Sequence, residues 1–223
     1  LLSHRVVGNV GYIRIHNSLG QQALVQAFDQ AILEMPGVQA LVIDLRDTPS
    51  GGNSSVARGI MGRLIDRTLP YQRHELVSES RSTGIRRAWV EYVTPRNSPF
   101  LKPVIVLVGP WTGSMGEGLA IGVNATRGSP VLGLPMAHLL GANGETALPY
   151  SKIVVRVPTE KLFHIDGTPR EAFVPCVIAP SGATSAILDR ELSAATDLAL
   201  RLSKMESNPS VQETLRDKAA QCL

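Results

Sequence analysis

The stretch Pro103-Val104-Ile105-Val106-Leu107-Val108-Gly109-Pro110-Trp111-Thr112-Gly113-Ser114-Met115-Gly116-Glu117-Gly118 constrains the fold more than any other part of the chain. Its aliphatic, largely β-branched run reads as a strand buried on both faces, the mark of a parallel sheet. The run ends in a glycine-rich turn, and a helix of small residues follows directly. A strand feeding a helix in this way belongs to an α/β fold with crossover connections. The turn also carries chemistry. It lifts the Ser114 hydroxyl off the strand end and sets it at a helix N-terminus, where free N–H groups and the helix dipole favour an anion.

The same alternation extends along the chain. Residues 10–15 read as a strand, and Leu24, Phe28, Ala31 and Met35 recur at helical spacing until Pro36-Gly37 stops the helix. Residues 40–45 form a second doubly buried strand. A turn-rich loop, Asp47-Thr48-Pro49-Ser50-Gly51-Gly52-Asn53, leads into a helix over residues 56–65. Residues 71–94 read as polar and irregular, with one strand at 88–93. Beyond Ser114 the expectation is a helix to about Thr126, a short strand at 131–133, a Gly-rich loop over 137–147 and a strand at 153–157. Residues 162–175 read as a loop with a strand at its end. Leu188, Leu192, Ala195, Ala199 and Leu202 give a C-terminal helix an apolar face, within a helical tail spanning about 182–223.

No internal repeat or low-complexity linker divides the 223 residues, so one domain over 1–223 is expected. The opening Leu1-Leu2-Ser3-His4 lacks an initiator Met, and the expectation is the core of a longer protein with an upstream domain. Net charge is +3, and the basic residues are scattered, Arg86-Arg87 being the densest pair. No basic stripe with interleaved aromatics suggests nucleic acid as a partner. No apolar run approaches the roughly 18 residues of a membrane span. Cys176 and Cys222 lie far apart and outside any metal-ligand spacing, so they read as two unpaired thiols, and neither metal nor organic cofactor is implied.

A serine hydroxyl becomes a useful nucleophile only when a base takes its proton and hydrogen-bond donors receive the developing charge. Met115 N–H is placed to be one such donor, and Gly113 and Gly116 allow close approach. The buried Asp44-Leu45-Arg46 strand feeding Gly51-Gly52 can bring a second N–H beside the serine. Each element also has an ordinary reading, as an N-cap serine and as a tight turn.

In this order and at this spacing the two elements resemble the carboxyl-terminal processing peptidases. That family includes the tail-specific proteases, the tricorn core protease and the retinoid-binding repeats of the interphotoreceptor protein. Asp44-Leu45-Arg46 with Gly51-Gly52 matches the family's Asp-Leu-Arg strand and Gly-Gly turn, with about one extra loop residue. Thr112-Gly113-Ser114-Met115-Gly116-Glu117 matches its Ser/Thr-x-Ser-x-x-Glu motif, whose middle serine is the nucleophile. The resemblance covers the chain from about Val10 to Pro180. It implies a crotonase- and ClpP-like twisted α/β sheet core with crossover helices and a C-terminal helix.

The resemblance further implies a serine endopeptidase acting on peptide or protein substrates. Ser114 would attack, and Met115 with Gly51 or Gly52 would form the oxyanion hole. Leu139 stands where tail-specific proteases carry their lysine base, in Gly133-Leu134-Pro135-Met136-Ala137-His138-Leu139, so a Ser–Lys dyad would need Lys152 or Lys161 to swing in. The tricorn-like branch instead uses a histidine from an N-terminal segment, oriented by a glutamate. Thr168-Pro169-Arg170-Glu171-Ala172-Phe173-Val174-Pro175 matches that glutamate's region, which makes Glu171 its bearer. The histidine is open: it lies upstream of this chain, or is His4 or His138. His16, His74 and His164 read as ordinary strand-end or loop residues. Glu117 reads as a first-turn carboxylate favoured by the helix dipole.

A binding module for a small apolar ligand or peptide, catalytically inactive, is the alternative. Acyl-thioester chemistry has only fold analogy behind it. A homo-oligomer and a periplasmic or secreted location complete the expectations.

Overall fold

Parallel strands with buried flanks organise the molecule, as the aliphatic runs require. A computed structural model describes residues 1–176 and 185–205. In chain order these are β1 (Leu2–Val7), β2 (Val10–His16), α1 (Ala23–Leu33), β3 (Ala40–Asp47), α2 (Ser54–Gly62), β4 (Leu69–Leu76), α3 (Val77–Thr83), β5 (Ala88–Val93), β6 (Val104–Val108), α4 (Met115–Arg127), β7 (Val131–Gly133), β8 (Ala142–Ala147), β9 (Val154–Phe163), a 3-10 turn at Arg170–Ala172 and α5 (Ser185–Met205).

The first sheet has the order β1-β2-β3-β6-β7, with β2, β3, β6 and β7 parallel and β1 an antiparallel edge. Alternation along the strands assigns their two faces. Ile13, Ile43, Val106 and Val108 point to one side, where Phe28 of α1, Ile60 of α2 and Leu119 of α4 complete the core. Tyr12, Val42, Ile105 and Leu107 point to the other, and Ala195 and Ala199 of α5 cover them. The C-terminal helix expected from Leu192, Ala195 and Ala199 is therefore present, while residues 206–223 lie outside the described residues.

A buried ionic network fixes α5 to the sheet. The Asp44 carboxylate accepts Arg46 N–H, Arg46 Nε–H, Arg46 Nη2–H and the Tyr12 hydroxyl, all within 3.0 Å. Arg46 Nη1–H in turn donates to Glu191 Oε2 of α5 at 2.6 Å. Burial opposes the Asp44 charge, but Arg46 and the Tyr12 donor outweigh it and hold the carboxyl below the ordinary range. In this fold the Asp-Leu-Arg strand is a helix anchor.

The second sheet, β5-β4-β9-β8, is antiparallel throughout. It overturns the irregular reading of residues 71–87, which form most of β4 and α3, while the strand expected at 88–93 is present as β5. The pattern hid β4 because Tyr71 is its main apolar anchor, and its polar members are paired by neighbouring strands. His74 is buried mid-strand, with its Nδ1 bonded to Glu160 and its Nε2 3.4 Å from Glu91 Oε2. Nor is His74 a strand-end or loop residue, as expected. β8, with Gly144 and little β propensity of its own, takes its strand form from pairing with β9. β1 likewise had no pattern to announce it, and β9 runs on to Phe163.

Cys176 corrects another expectation. It is disulfide-bonded, not an unpaired thiol; Cys222 lies outside the described residues. Its backbone extends the β7 edge, with Gly133 N–H donating to Cys176 O and Cys176 N–H to Val131 O. The strand expected at the end of 162–175 is absent from those residues, and this isolated pairing follows them. Among the described residues no helix is long and apolar enough to cross a membrane.

Candidate active site

The site gathers at the C-terminal ends of β3 and β6, where parallel strands open into loops. Ser114 stands between β6 and α4 with φ 52° and ψ −115°, a backbone conformation that non-glycine residues rarely adopt. Such strain persists only where surrounding bonds enforce it. Here they are plain to see. Gly113 N–H donates to Thr48 O at 3.0 Å, Ala137 N–H to Thr112 O at 3.0 Å, and Ser114 N–H to Glu117 Oε2 at 2.8 Å. Thr112 is fully buried; its hydroxyl accepts Gly109 N–H and donates to Leu45 O, each at 2.9 Å.

The bond from Gly113 to Thr48 draws the loop after β3 over the serine. Gly51 then lies so close that a Cβ at that position would sit 2.5 Å from both Cβ and Oγ of Ser114, and 3.4 Å from Met115 N. Gly51 has φ 68° and Gly52 φ 140°, and Gly52 packs its Cα side against the Leu19 backbone. The loop is pinned from behind, since Leu19 N–H donates to Gly51 O and Asn53 N–H to Leu19 O. Asn53 caps α2 by accepting Ser55 N–H and Val56 N–H. Within the described residues the N–H groups of Gly51, Gly52 and Met115 have no hydrogen-bond acceptor. Ser114 and the three expected oxyanion donors are thus brought into one neighbourhood.

Glu117 is more than a first-turn carboxylate. It is fully buried, and besides Ser114 N–H it accepts Leu139 N–H at 3.3 Å. Burial pushes its carboxyl upward, while the Arg170 guanidinium and these N–H donors draw it back. Arg170, itself buried, donates to Leu139 O at 2.7 Å and to Gly141 O at 3.1 Å. One carboxylate and one guanidinium therefore clamp the 138–141 turn onto the serine turn. Arg170 carried no readable signal in the sequence. Glu117 did, as the last residue of a capping-box spacing.

Leu139 occupies the clamped turn with Cδ1 3.3 Å from where a Gly113 Cβ would lie, so an apolar side chain lies against the serine turn. His138 precedes it with φ 54°, and its Nδ1 lies 2.6 Å from Glu171 O. The link between Glu171 and a histidine is thus made by its main-chain carbonyl. The other candidate bases lie apart. His4 pairs with Glu34 at 2.8 Å on β1, separated from β6 by two strands. Lys152 sits in the β8–β9 turn, and Lys161 faces Glu75 across β9 and β4.

The model of peptidase family S41 matches residues 9–174 of the chain. No curated protein matches it. Among solved structures, a candidate peptidase from Parabacteroides merdae superposes with a TM-score of 0.74 at 16% identity, covering 89% of this chain and 64% of that one. Mature CPAF complexed with lactacystin follows at 0.66 and 14% identity, covering 92% and 54%. The photosystem II D1 C-terminal processing protease gives 0.62 and 17% identity, covering 78% and 46%. The chain spans less than two thirds of the length of each of these structures.

Proposed function

We propose that this chain, which belongs to peptidase family S41, is the core of a serine endopeptidase in which Ser114 attacks the scissile carbonyl of a peptide or protein substrate. The observation that carries this reading is the strained Ser114 backbone, covered by Gly51 and flanked by unpaired N–H groups. As Oγ bonds to the carbonyl carbon, the oxygen gains negative charge. Met115 N–H and Gly51 or Gly52 N–H are the groups that would receive it, supported by the N-terminus of α4. Removing one such donor typically costs about a hundred- to a thousandfold in rate. Glu171 enters through its main chain, which holds the His138 ring. Export to an oxidising compartment belongs to the same proposal, because Cys176 is disulfide-bonded and disulfides persist where thiols are not kept reduced.

A second reading, a catalytically inactive binding module, draws on Leu139, whose apolar side chain lies beside the serine turn where it can take no proton. A fluorophosphonate probe separates the two. The peptidase reading expects covalent labelling of Ser114, absent in Ser114→Ala, in this chain or in a longer form of the protein. No labelling in either, with the protein folded, leaves the binding module.

A further inference from the structure

We propose that His138 is the general base for Ser114, an assignment that rests on the peptidase reading above. Three features converge on it. The first is tautomer. Glu171 O can only accept, so the 2.6 Å contact requires a proton on His138 Nδ1, and the neutral ring then carries its lone pair on Nε2. A backbone carbonyl here does what a carboxylate does in other serine hydrolases: it fixes the ring and leaves the far nitrogen basic.

The second is placement. Glu117 Oε2 accepts Ser114 N–H at 2.8 Å and Leu139 N–H at 3.3 Å, so the turn bearing His138 and the turn bearing Ser114 hang on one oxygen. Arg170 closes the far side of the same turn through Leu139 O and Gly141 O. The third is backbone. His138 adopts φ 54°, which turns its side chain away from the course an ordinary loop residue would take, and the ring remains exposed rather than packed away. Its neighbour Leu139 places Cδ1 3.3 Å from where a Gly113 Cβ would lie, so the residue next to His138 touches the serine turn.

Among the described residues no hydrogen bond joins Ser114 Oγ to His138, and Ser114 is partly exposed. Catalytic bonds of this kind commonly tighten only when substrate excludes water. In the reaction, the Ser114 Oγ–H proton passes to His138 Nε2 while Oγ bonds to the carbonyl carbon and the carbonyl π pair moves onto oxygen. Collapse of that adduct breaks the C–N bond, and the Nε2 proton goes to the departing amine. Water then attacks the acyl-enzyme, gives its proton to Nε2, and returns Ser114 its own.

His138→Asn tests this cleanly. Asn tolerates positive φ and its amide N–H can still donate to Glu171 O, but it has no group in place of Nε2. The rate of fluorophosphonate labelling is measured on the 223-residue chain and on a longer form, with thermal melting as a check on folding. The expected result is that His138→Asn melts like the wild type and labels about a hundredfold more slowly or worse. Added imidazole should restore part of that rate, and the wild-type pH profile should contain an ionisation that the variant lacks. Labelling of Ser114 at the wild-type rate in His138→Asn, in whichever form labels, overturns the assignment of the base and leaves Ser114 as nucleophile. A slowed variant that imidazole does not rescue and whose pH profile is unchanged also overturns it, by showing a merely structural role. Absence of Ser114 labelling in both forms of the wild type overturns the base and the peptidase reading together.

Discussion

Gly51 and Ser114 come from loops after different strands, yet a single carbon added to Gly51 would lie 2.5 Å from the Ser114 hydroxyl oxygen. Two backbone segments far apart in sequence are so close that only hydrogen fits between them. This contact makes the Gly51-Gly52 turn part of the serine site.

Gly51→Ala should therefore be costly twice over. The φ of 68° is strained for alanine, and the methyl group displaces the Ser114 side chain. Denaturant unfolding should show a loss of about 1–3 kcal/mol. Fluorophosphonate labelling should fall by about a hundredfold, as expected when a reacting group is misplaced by about 1 Å. A folded Gly51→Ala variant that labels normally would remove Gly51 from the site.

Glu117→Gln should separate clamping from folding. Glutamine keeps the volume and one acceptor, but its NH2 takes the place of one of the two oxygens that Leu139 N–H shares, setting donor against donor. Circular dichroism should stay near that of the wild type while Ser114 labelling drops at least about tenfold. Unchanged labelling would mean that the 138–141 turn does not depend on this carboxylate.

The Asp44–Arg46–Glu191 network predicts both a mutational and an acid response. Glu191→Ala leaves the buried Arg46 charge with half its partners, a loss of about 3–5 kcal/mol measured by urea unfolding. Asp44 is held below its unfolded value of 3.8, so its contribution is complete above that pH and fades as pH falls through the folded value. Asp44→Asn should lose stability at neutral pH and show a flatter acid limb. An equally steep limb would place the acid sensitivity elsewhere.

His74 predicts the opposite slope. Burial disfavours its charge, but Glu91 and Glu160 prevail and raise its pKa above 6.5. The stabilisation is therefore complete below about pH 6.5 and is lost as pH rises through the folded value. Melting temperature should decline over that alkaline window in the wild type, and the decline should be absent in His74→Gln. A parallel decline in the variant would exclude this imidazole as its cause.

Much of the first sheet was legible because its strands and helices carry their own periodicity. Residues 40–45 and 104–108 are apolar throughout, and a segment of that kind has few options but the centre of a parallel sheet. The serine turn was legible for the same reason, as a local pattern of glycines between strand and helix. The second sheet was legible only in part: strands at 88–93 and 153–157 were expected, whereas β4 and β8 were not. His74 is buried among polar partners drawn from three strands, Gln72, Glu91 and Glu160, and no single segment shows that partnership. Arg170 escaped notice likewise: it acts on the carbonyls of Leu139 and Gly141, and carbonyls have no sequence signature.

By itself the sequence determined the α/β alternation, the identity of the candidate nucleophile and the glycines that let backbone approach it. These depend on residue type and spacing, which local sterics and hydrophobic periodicity translate directly into structure. The tertiary structure alone decided what surrounds Ser114. It set Gly51 over the hydroxyl, hung the serine turn and the His138 turn on Glu117, and gave His138 a carbonyl partner in Glu171. Such contacts join segments remote in sequence, and the hydrogen bonds that carry them run through backbone groups every residue shares. Their partners are therefore chosen by the packing of the whole chain.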